Sequence, residues 1–337
     1  MEKKKISWTS VAFALIFIVL IYMVKAKNLS GSTNEENTVM DLYAMDTYMS
    51  LSVYGDNREE ALSLLTDEIG RLDKLLSVGD ENSDVSKINN GNMEGVSDET
   101  LALIERAGEI SWETDGAFNI FVYPIMEAWG FTNGDYRVPS EDELKALTEA
   151  VKNAELGKSA SGIDLGGIGK GYTSDKAREL LKESGVEHAL LNLGGNVVAI
   201  GTKPDGSDWT IGIQDPSKES DYICTVKVED TCVVTSGAYE RYFEEDGVRY
   251  HHIIDPSTGY PADSGLASVT IVSPDGTLAD ALSTALFVMG QEKAVSFYQS
   301  SQESFEAILV NNEGEILITE GLKDRVDSES KINIISK

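Results

Sequence analysis

Residues 57–77 place Leu62, Leu65, Ile69, Leu72 and Leu76 at alternating spacings of three and four. That spacing predicts a helix with one apolar stripe. Ser140-Glu141-Asp142-Glu143, just after Pro139, has the form of a capping box and opens a second helix. Leu144, Leu147 and Val151 form its inward face. Residues 279–289 carry apolar side chains almost all round, as a buried helix does, and Gly290 is the expected stop. A glycine-rich stretch ahead of Ser174 is expected to lead into a helix from Ser174 to Leu181. Strand candidates are residues 48–54, 196–201, 209–213, 267–273, 306–310 and 315–319. The last two flank Asn311-Asn312-Glu313-Gly314, a hairpin turn. The regular strand–helix–strand rhythm of a doubly wound sheet is missing, so the fold class expected is α+β.

One apolar run stands apart. Residues 11–24, VAFALIFIVLIYMV, are uninterrupted and follow Lys3, Lys4 and Lys5. Counted from Ile6, a helix of this length spans roughly 28 Å, close to the ~30 Å hydrocarbon core of a bilayer. Residues 6–24 are expected to be a single transmembrane anchor, with residues 1–5 as its basic cytoplasmic flank. A cleaved signal peptide is the competing reading, although Val24-Lys25-Ala26 makes a poor cleavage site. No cysteine follows the run, so a lipoprotein anchor is excluded. The lysines should stay inside, which places the rest of the chain on the outer face of the cell membrane. Residues 25–38, KAKNLSGSTNEENT, are small and polar and serve as a tether. Residues 39–337 then form one domain.

Charge narrows the function classes. The chain carries −29 in all. Residues 1–27 hold five lysines against one glutamate, a net +4, so the remaining 310 residues carry −33. Such a surface repels nucleic acid and anionic lipid headgroups. An anionic ligand would need a metal ion, backbone amides or a few placed cations. Cys224 and Cys232 are the only cysteines, too few for a disulfide scaffold or a zinc cage. A bridge between them would require two neighbouring strands.

Three segments carry candidate chemistry. Ser161-Gly-Ile-Asp-Leu-Gly-Gly-Ile-Gly-Lys-Gly-Tyr172 sets Lys170 among glycines ahead of a helix. Glycines let amides approach a ligand closely, and a helix N-terminus favours anions, so the stretch suits a phosphate or pyrophosphate. It equally suits a tight turn packing a helix on a strand. It is neither a Walker loop nor a dinucleotide fingerprint. His251 and His252 precede the turn Asp255-Pro256-Ser257-Thr258-Gly259 and could be structural or catalytic. Asp280 and Thr284 stand at i and i+4 in an apolar helix. A carboxylate there is costly unless paired, and hard oxygens fit Mg²⁺ or Ca²⁺. The alternative is that Asp280 caps its helix and Thr284 bonds back to it.

The order of these segments resembles the ApbE family, the FAD:protein FMN transferases. The resemblance runs from about Met45 to Gly290. It rests on Met45-Asp46-Thr47, on Ser83 to Asn89, on Gly116-Ala117-Phe118-Asn119 and on Trp129-Gly130-Phe131. It continues through Asp164 to Gly171, Asn192 to Gly195, Thr235-Ser236-Gly237, His252 to Pro256, and Ala279-Asp280 with Thr284. The family's chemistry, which the resemblance implies here, splits FAD at its pyrophosphate with Mg²⁺. FMN joins a Ser or Thr hydroxyl of an acceptor protein through a phosphoester, and AMP leaves. The resemblance implies that Asp164 and Lys170 contact FAD, and that Met45, Ala117, Phe118, Asn119 and Ile254 line the flavin nucleotide. It implies that Asp280, Thr284 and the Gly167 carbonyl hold Mg²⁺, and that His252 is the base or hydroxyl orienter. Two positions depart from the family pattern: Asn119 replaces the usual aspartate, and Gly79 stands where an aromatic residue often occurs.

The chain lacks an acceptor motif of its own, since Ser236-Gly237-Ala238 is followed by Tyr239. A separate exported acceptor protein is therefore the expected partner. The alternatives are an Mg²⁺-dependent FAD pyrophosphatase releasing FMN and AMP, and a non-catalytic flavin-binding surface protein. The second would bind FAD without releasing AMP.

Overall fold

The computed structural model describes residues 36–154 and 162–337. The apolar run 6–24, its basic flank and tether residues 25–35 lie outside the described residues, as does Ser161. Among the described residues no helix is long and apolar enough to cross a membrane.

The centre is a nine-stranded sheet. Its order is β1 (Asn37–Ala44), β2 (Thr47–Tyr54), β3 (Ala189–Asn192), β4 (Asn196–Ile200), β7 (Cys232–Gly237), β10 (Leu266–Ser273), β11 (Glu306–Asn311), β12 (Ile316–Thr319) and β14 (Ile332–Ile335). Neighbours run antiparallel from β1 to β12, and β14 lies parallel to β12. This is the expected α+β class. Strand β1 begins at Asn37, so the end of the polar tether is already paired.

Both faces of this sheet are covered. Helices α1 (Arg58–Leu76), α6 (Gly169–Glu183) and α7 (Gly276–Ser300) pack with one face, where Cys232, Val234, Val269, Ile271, Ala307 and Leu309 join the main core. The alternate residues Val233, Val272 and Ile308 point the other way. They meet a smaller sheet, β13 (Val326–Asp327), β6 (Lys218–Val228) and β5 (Trp209–Asp215). Two-sided burial makes the first half of β7, Cys232-Val233-Val234, apolar without alternation, so alternation does not reveal the strand. The two cysteines fall in different sheets and are buried thiols; burial pushes both up to about 12. No bridge joins them.

The predicted amphipathic helices are present. All five stripe residues of α1 are buried. Ser140 caps α5 (Glu141–Lys152) by accepting from the Glu143 amide, with Leu144 and Val151 buried and Leu147 partly so. One boundary differs from expectation. Helix α6 begins at Gly169, not Ser174, and so takes Lys170 and Gly171 into its first turn. Gly290 is the expected stop: at φ 75° and ψ 169° it ends the first helical stretch of α7, and a second stretch follows it to Ser300. A side chain at Gly290 would crowd the Ser264 carbonyl, so the break follows from close packing.

A third apolar cluster lies under α4 (Tyr123–Ala128), α5 and the hairpin of β8 (Tyr242–Glu245) and β9 (Val248–His251). Trp129 and Phe131 anchor it against Phe243 and Tyr250. The hairpin springs from Arg241 and returns at His252, so this cluster fixes where those two residues stand.

Candidate active site

Four chain segments converge beside the first turns of α6 and α7. The approach to α6 is held from α2 (Asp84–Asn89). Asn89 Oδ1 accepts the Ile163 amide at 2.7 Å, and its Nδ2 donates to the Ile163 carbonyl at 3.0 Å. The next residue, Asp164, donates its amide to Ile120 O and accepts the Gly166 amide on Oδ1, both at 2.7 Å. Burial raises the Asp164 pKa, and the Gly166 amide, Arg241 and Lys170 oppose the rise. Ile163, Leu165 and Ile168 are buried and anchor the loop, leaving Gly166 exposed.

Asp280 lies in the second turn of α7 and is 3% exposed. It does not cap its own helix: Asp275 does, accepting the Leu278 amide at 2.8 Å. Ser283, not Thr284, bonds back within the helix, to the Asp280 carbonyl at 2.8 Å. Asp280 Oδ2 instead accepts the Gly171 amide at 2.8 Å. Thr284 Oγ1 lies 3.4 Å from Ser236 Oγ, which also bonds Ser283 Oγ at 2.7 Å. Gly167 borders the same hydroxyl: a Cβ there would sit 3.7 Å from Thr284 Oγ1 and 3.3 Å from the Phe118 ring. The structure thus brings Gly167, Asp280 and Thr284 together, with Phe118 as an apolar wall.

Lys170 forms no ion pair among the described residues, yet its charge acts on Asp164, Glu240 and His252. Those three groups therefore share one electrostatic environment. His252 Nδ1 lies 3.1 Å from the Arg241 carbonyl. A carbonyl can only accept, so Nδ1 carries the proton and Nε2 keeps a free lone pair. The ring is partly reached by solvent but crowded by surrounding protein; that crowding, then the positive charges of Arg241 and Lys170, push the His252 pKa down to about 3. The free imidazole is therefore neutral, and at that value Nε2 is a hydrogen-bond acceptor and only a weak base.

Glu240 is reached by solvent but crowded by surrounding protein. That crowding lifts its pKa to about 7, with Lys170 opposing and Asp280 adding to the rise. A Cβ on Gly195 would sit 3.7 Å from its Oε1. Arg241 donates through Nη2 to the Phe131 carbonyl and lies 5.8 Å from that ring's centroid. Ser236, Glu240 and Arg241 did not emerge as site residues from sequence. Their one signal is the Thr235-Ser236-Gly237 segment.

Met45 and Asp46 form the two-residue turn between β1 and β2, with φ of 49° and 58°. Such a turn requires positive φ at both residues, which is costly for a methionine. The Met45 amide is held by Asp73 Oδ1 at 2.9 Å, and Thr173 Oγ1 lies 3.6 Å from its sulfur. Thr47 closes on Gly194, where φ is 71° and any Cβ would collide with the threonine. Two of the quoted segments therefore need each other. Ala117 is half-buried at the edge of the main core. Asn119 accepts the Phe121 amide at 2.9 Å, capping the turn Ile120–Val122. Ile254 bridges Pro261, but its side chain is buried in the third cluster. Only the backbone of Ile254 is therefore available to a ligand.

Comparison with known proteins identifies the family. A model of the ApbE family matches residues 45–309. A protein from Klebsiella pneumoniae described as an FAD:protein FMN transferase is 36% identical over 279 residues, covering 78% of this chain and 86% of that one. A protein of the same description from Treponema pallidum is 36% identical over 296 residues, covering 80% of each. The crystal structure of an ApbE protein from Thermotoga maritima superposes with a TM-score of 0.79 at 37% identity, covering 86% of this chain and 99% of that one. The family model spans well over half of the chain, and the chain belongs to the ApbE family.

Proposed function

We propose that this chain is an FAD:protein FMN transferase that moves FMN from FAD onto a Ser or Thr hydroxyl of an exported acceptor protein, releasing AMP. The observation that carries the reading is the meeting of Asp280, Thr284 and Gly167 beside Lys170 and the unprotonated Nε2 of His252.

The residues fit Mg²⁺. Asp280 is almost fully buried, and no cation lies within ion-pair distance among the described residues. Its Oδ2 is occupied by the Gly171 amide, while Oδ1 accepts no hydrogen bond among the described residues. A buried charge in that state calls for a counter-ion. Asp280, the Thr284 hydroxyl and the Gly167 carbonyl supply hard oxygen donors. Among the described residues no three acidic, His or Cys side chains form a cage. That suits an ion bound together with substrate phosphates. Bound there, Mg²⁺ would neutralise charge on the pyrophosphate and on the departing AMP.

Lys170 binds a phosphate of FAD, and Asp164 orients the nucleotide at the loop. Met45, Ala117, Phe118, Asn119 and the Ile254 backbone line the flavin nucleotide. His252 Nε2 orients the acceptor hydroxyl and takes its proton, the negative phosphates of bound FAD countering Arg241 and Lys170 and raising the basicity of the ring. The hydroxyl oxygen bonds to the FMN phosphorus as the pyrophosphate bond breaks. Residues 6–24 anchor the chain in the cell membrane, with the catalytic domain outside.

The test incubates the purified full chain with FAD, Mg²⁺ and candidate exported proteins. Protein-bound flavin fluorescence and AMP are followed together. Equal yields of both support transfer. AMP without protein-bound flavin in the presence of every candidate identifies a pyrophosphatase, and FAD binding without AMP identifies a carrier.

A further inference from the structure

Helix α6 grips the entrance of α7 with one face. Gly171, Asp175 and Arg178, at i, i+4 and i+7, all reach across. Asp175 Oδ1 accepts the Gly276 amide at 2.7 Å. Its Oδ2 accepts the Thr277 amide at 2.8 Å and the Thr277 hydroxyl at 2.6 Å. Arg178 Nη1 donates to the Pro274 carbonyl at 2.6 Å. The first two amides of α7, which have no partners within their own helix, are thus bound by a carboxylate from another helix. The third, at Leu278, goes to Asp275.

We propose that Asp175 is a positioning residue for the metal-holding end of α7, acting through Asp280 and Thr284. Asp280 follows Gly276 and Thr277 by about one turn. Pinning those two amides sets the rotation and height of α7 relative to the glycine loop. That placement decides whether Asp280 Oδ1, Thr284 Oγ1 and the Gly167 carbonyl face a common point. The proposal rests on the Mg²⁺ reading above.

Asp175→Asn retains the size of the side chain. It presents one acceptor and an NH₂ group to three donors, so the grip is lost. Asp275→Asn is the charge-matched control: it removes one negative charge at the same helix end, and asparagine caps as well as aspartate. Thr277→Val deletes only the hydroxyl contact and covers the case in which Asp175→Asn does not fold. The probe is Mn²⁺ alone, its binding to the full chain read from the free-ion electron paramagnetic resonance signal, with thermal melts alongside. Loss of a group that orients a metal ligand typically weakens metal affinity tenfold or more. The expected result is a Kd about tenfold higher for Asp175→Asn, a smaller rise for Thr277→Val, and no change for Asp275→Asn. Parent-like affinity in folded Asp175→Asn, or in Thr277→Val should the first variant not fold, overturns the positioning role. So does an equal loss in Asp275→Asn. Absence of saturable Mn²⁺ binding by the parent protein overturns the metal reading itself.

Discussion

The Gly171 amide donates a 2.8 Å hydrogen bond to Oδ2 of Asp280, joining residues 109 apart in the chain. Gly171 is the third residue of α6, so its amide has no carbonyl partner within that helix. The bond completes the N-terminus of one helix with a carboxylate from the next. It also fixes one Asp280 oxygen and leaves the other without a hydrogen-bond donor among the described residues. A glycine is required here. A Cβ on Gly171 would come within 2.6 Å of the Asp280 Cβ and would run into the Gly276 carbonyl.

Gly171→Ala therefore forces α6 and α7 apart. The obstacle includes backbone, which cannot rotate away, so overpacking should cost about 1–3 kcal/mol of stability. Transfer activity should fall further than stability does, because the Asp280 carboxylate moves with the helix. Thermal melts and turnover measured at a temperature where the variant is folded separate the two effects.

His252 makes the pH behaviour unusual. Its folded pKa, near 3, is below the ordinary value of 6.5. Below pH 6.5 the unfolded chain takes up a proton that the folded chain refuses. The stability associated with this residue is present above pH 6.5 and is lost as pH falls toward 3. A His252→Gln variant should show a shallower decline of denaturation midpoint over that window. The kcat/KM profile reports groups of the free enzyme. Glu240, lifted to about 7, can give a limb of its own, so the profile is taken in Glu240→Gln. An acid limb near 6.5 should be missing there, and its persistence would show that the imidazole is not held neutral.

Lys170→Ala should leave the fold intact, since the ammonium has no ion-pair partner among the described residues. A charged hydrogen bond to a phosphate contributes about 2 kcal/mol, or roughly thirtyfold in Kd. Calorimetric titration with FAD should show that weakening, together with an unaltered melting temperature. Unchanged FAD affinity would reduce Lys170 to a surface charge.

Local patterns carried much of this fold. The stripe Leu62 to Leu76 and the Ser140 cap are signals within a few residues of one another, and both elements appear where expected. Strand β7 was hidden because Cys232 and Val234 face one layer while Val233 faces the other. The start of α6 was hidden for another reason. Gly169 and Gly171 have the composition of a loop, and it is the contact of Gly171 with Asp280 and Gly276 that accommodates them in a helix. Motif order pointed to Asp280, Thr284 and Gly167, which the structure brings together, and to Lys170 and His252, which share one electrostatic environment. It did not point to Asp175, Ser236, Glu240 and Arg241, because their partners lie tens of residues away. Sequence also could not show that the Ile254 side chain is buried in the third apolar cluster.

The central claim is that Asp280 is the charged metal ligand of a phosphoryl-transfer site. Asp280→Asn tests it most directly, because the amide oxygen can still accept from Gly171 while the charge is gone. The measurement is AMP release and flavin attachment across a Mg²⁺ titration, with a melting curve beside it. Loss of a charged ligand should cost several kcal/mol in the transition state, a fall on the order of a thousandfold in rate. The fold should remain intact. A folded variant whose rate stays within threefold of the parent at every Mg²⁺ concentration would contradict the claim and leave Asp280 as a cap for α6.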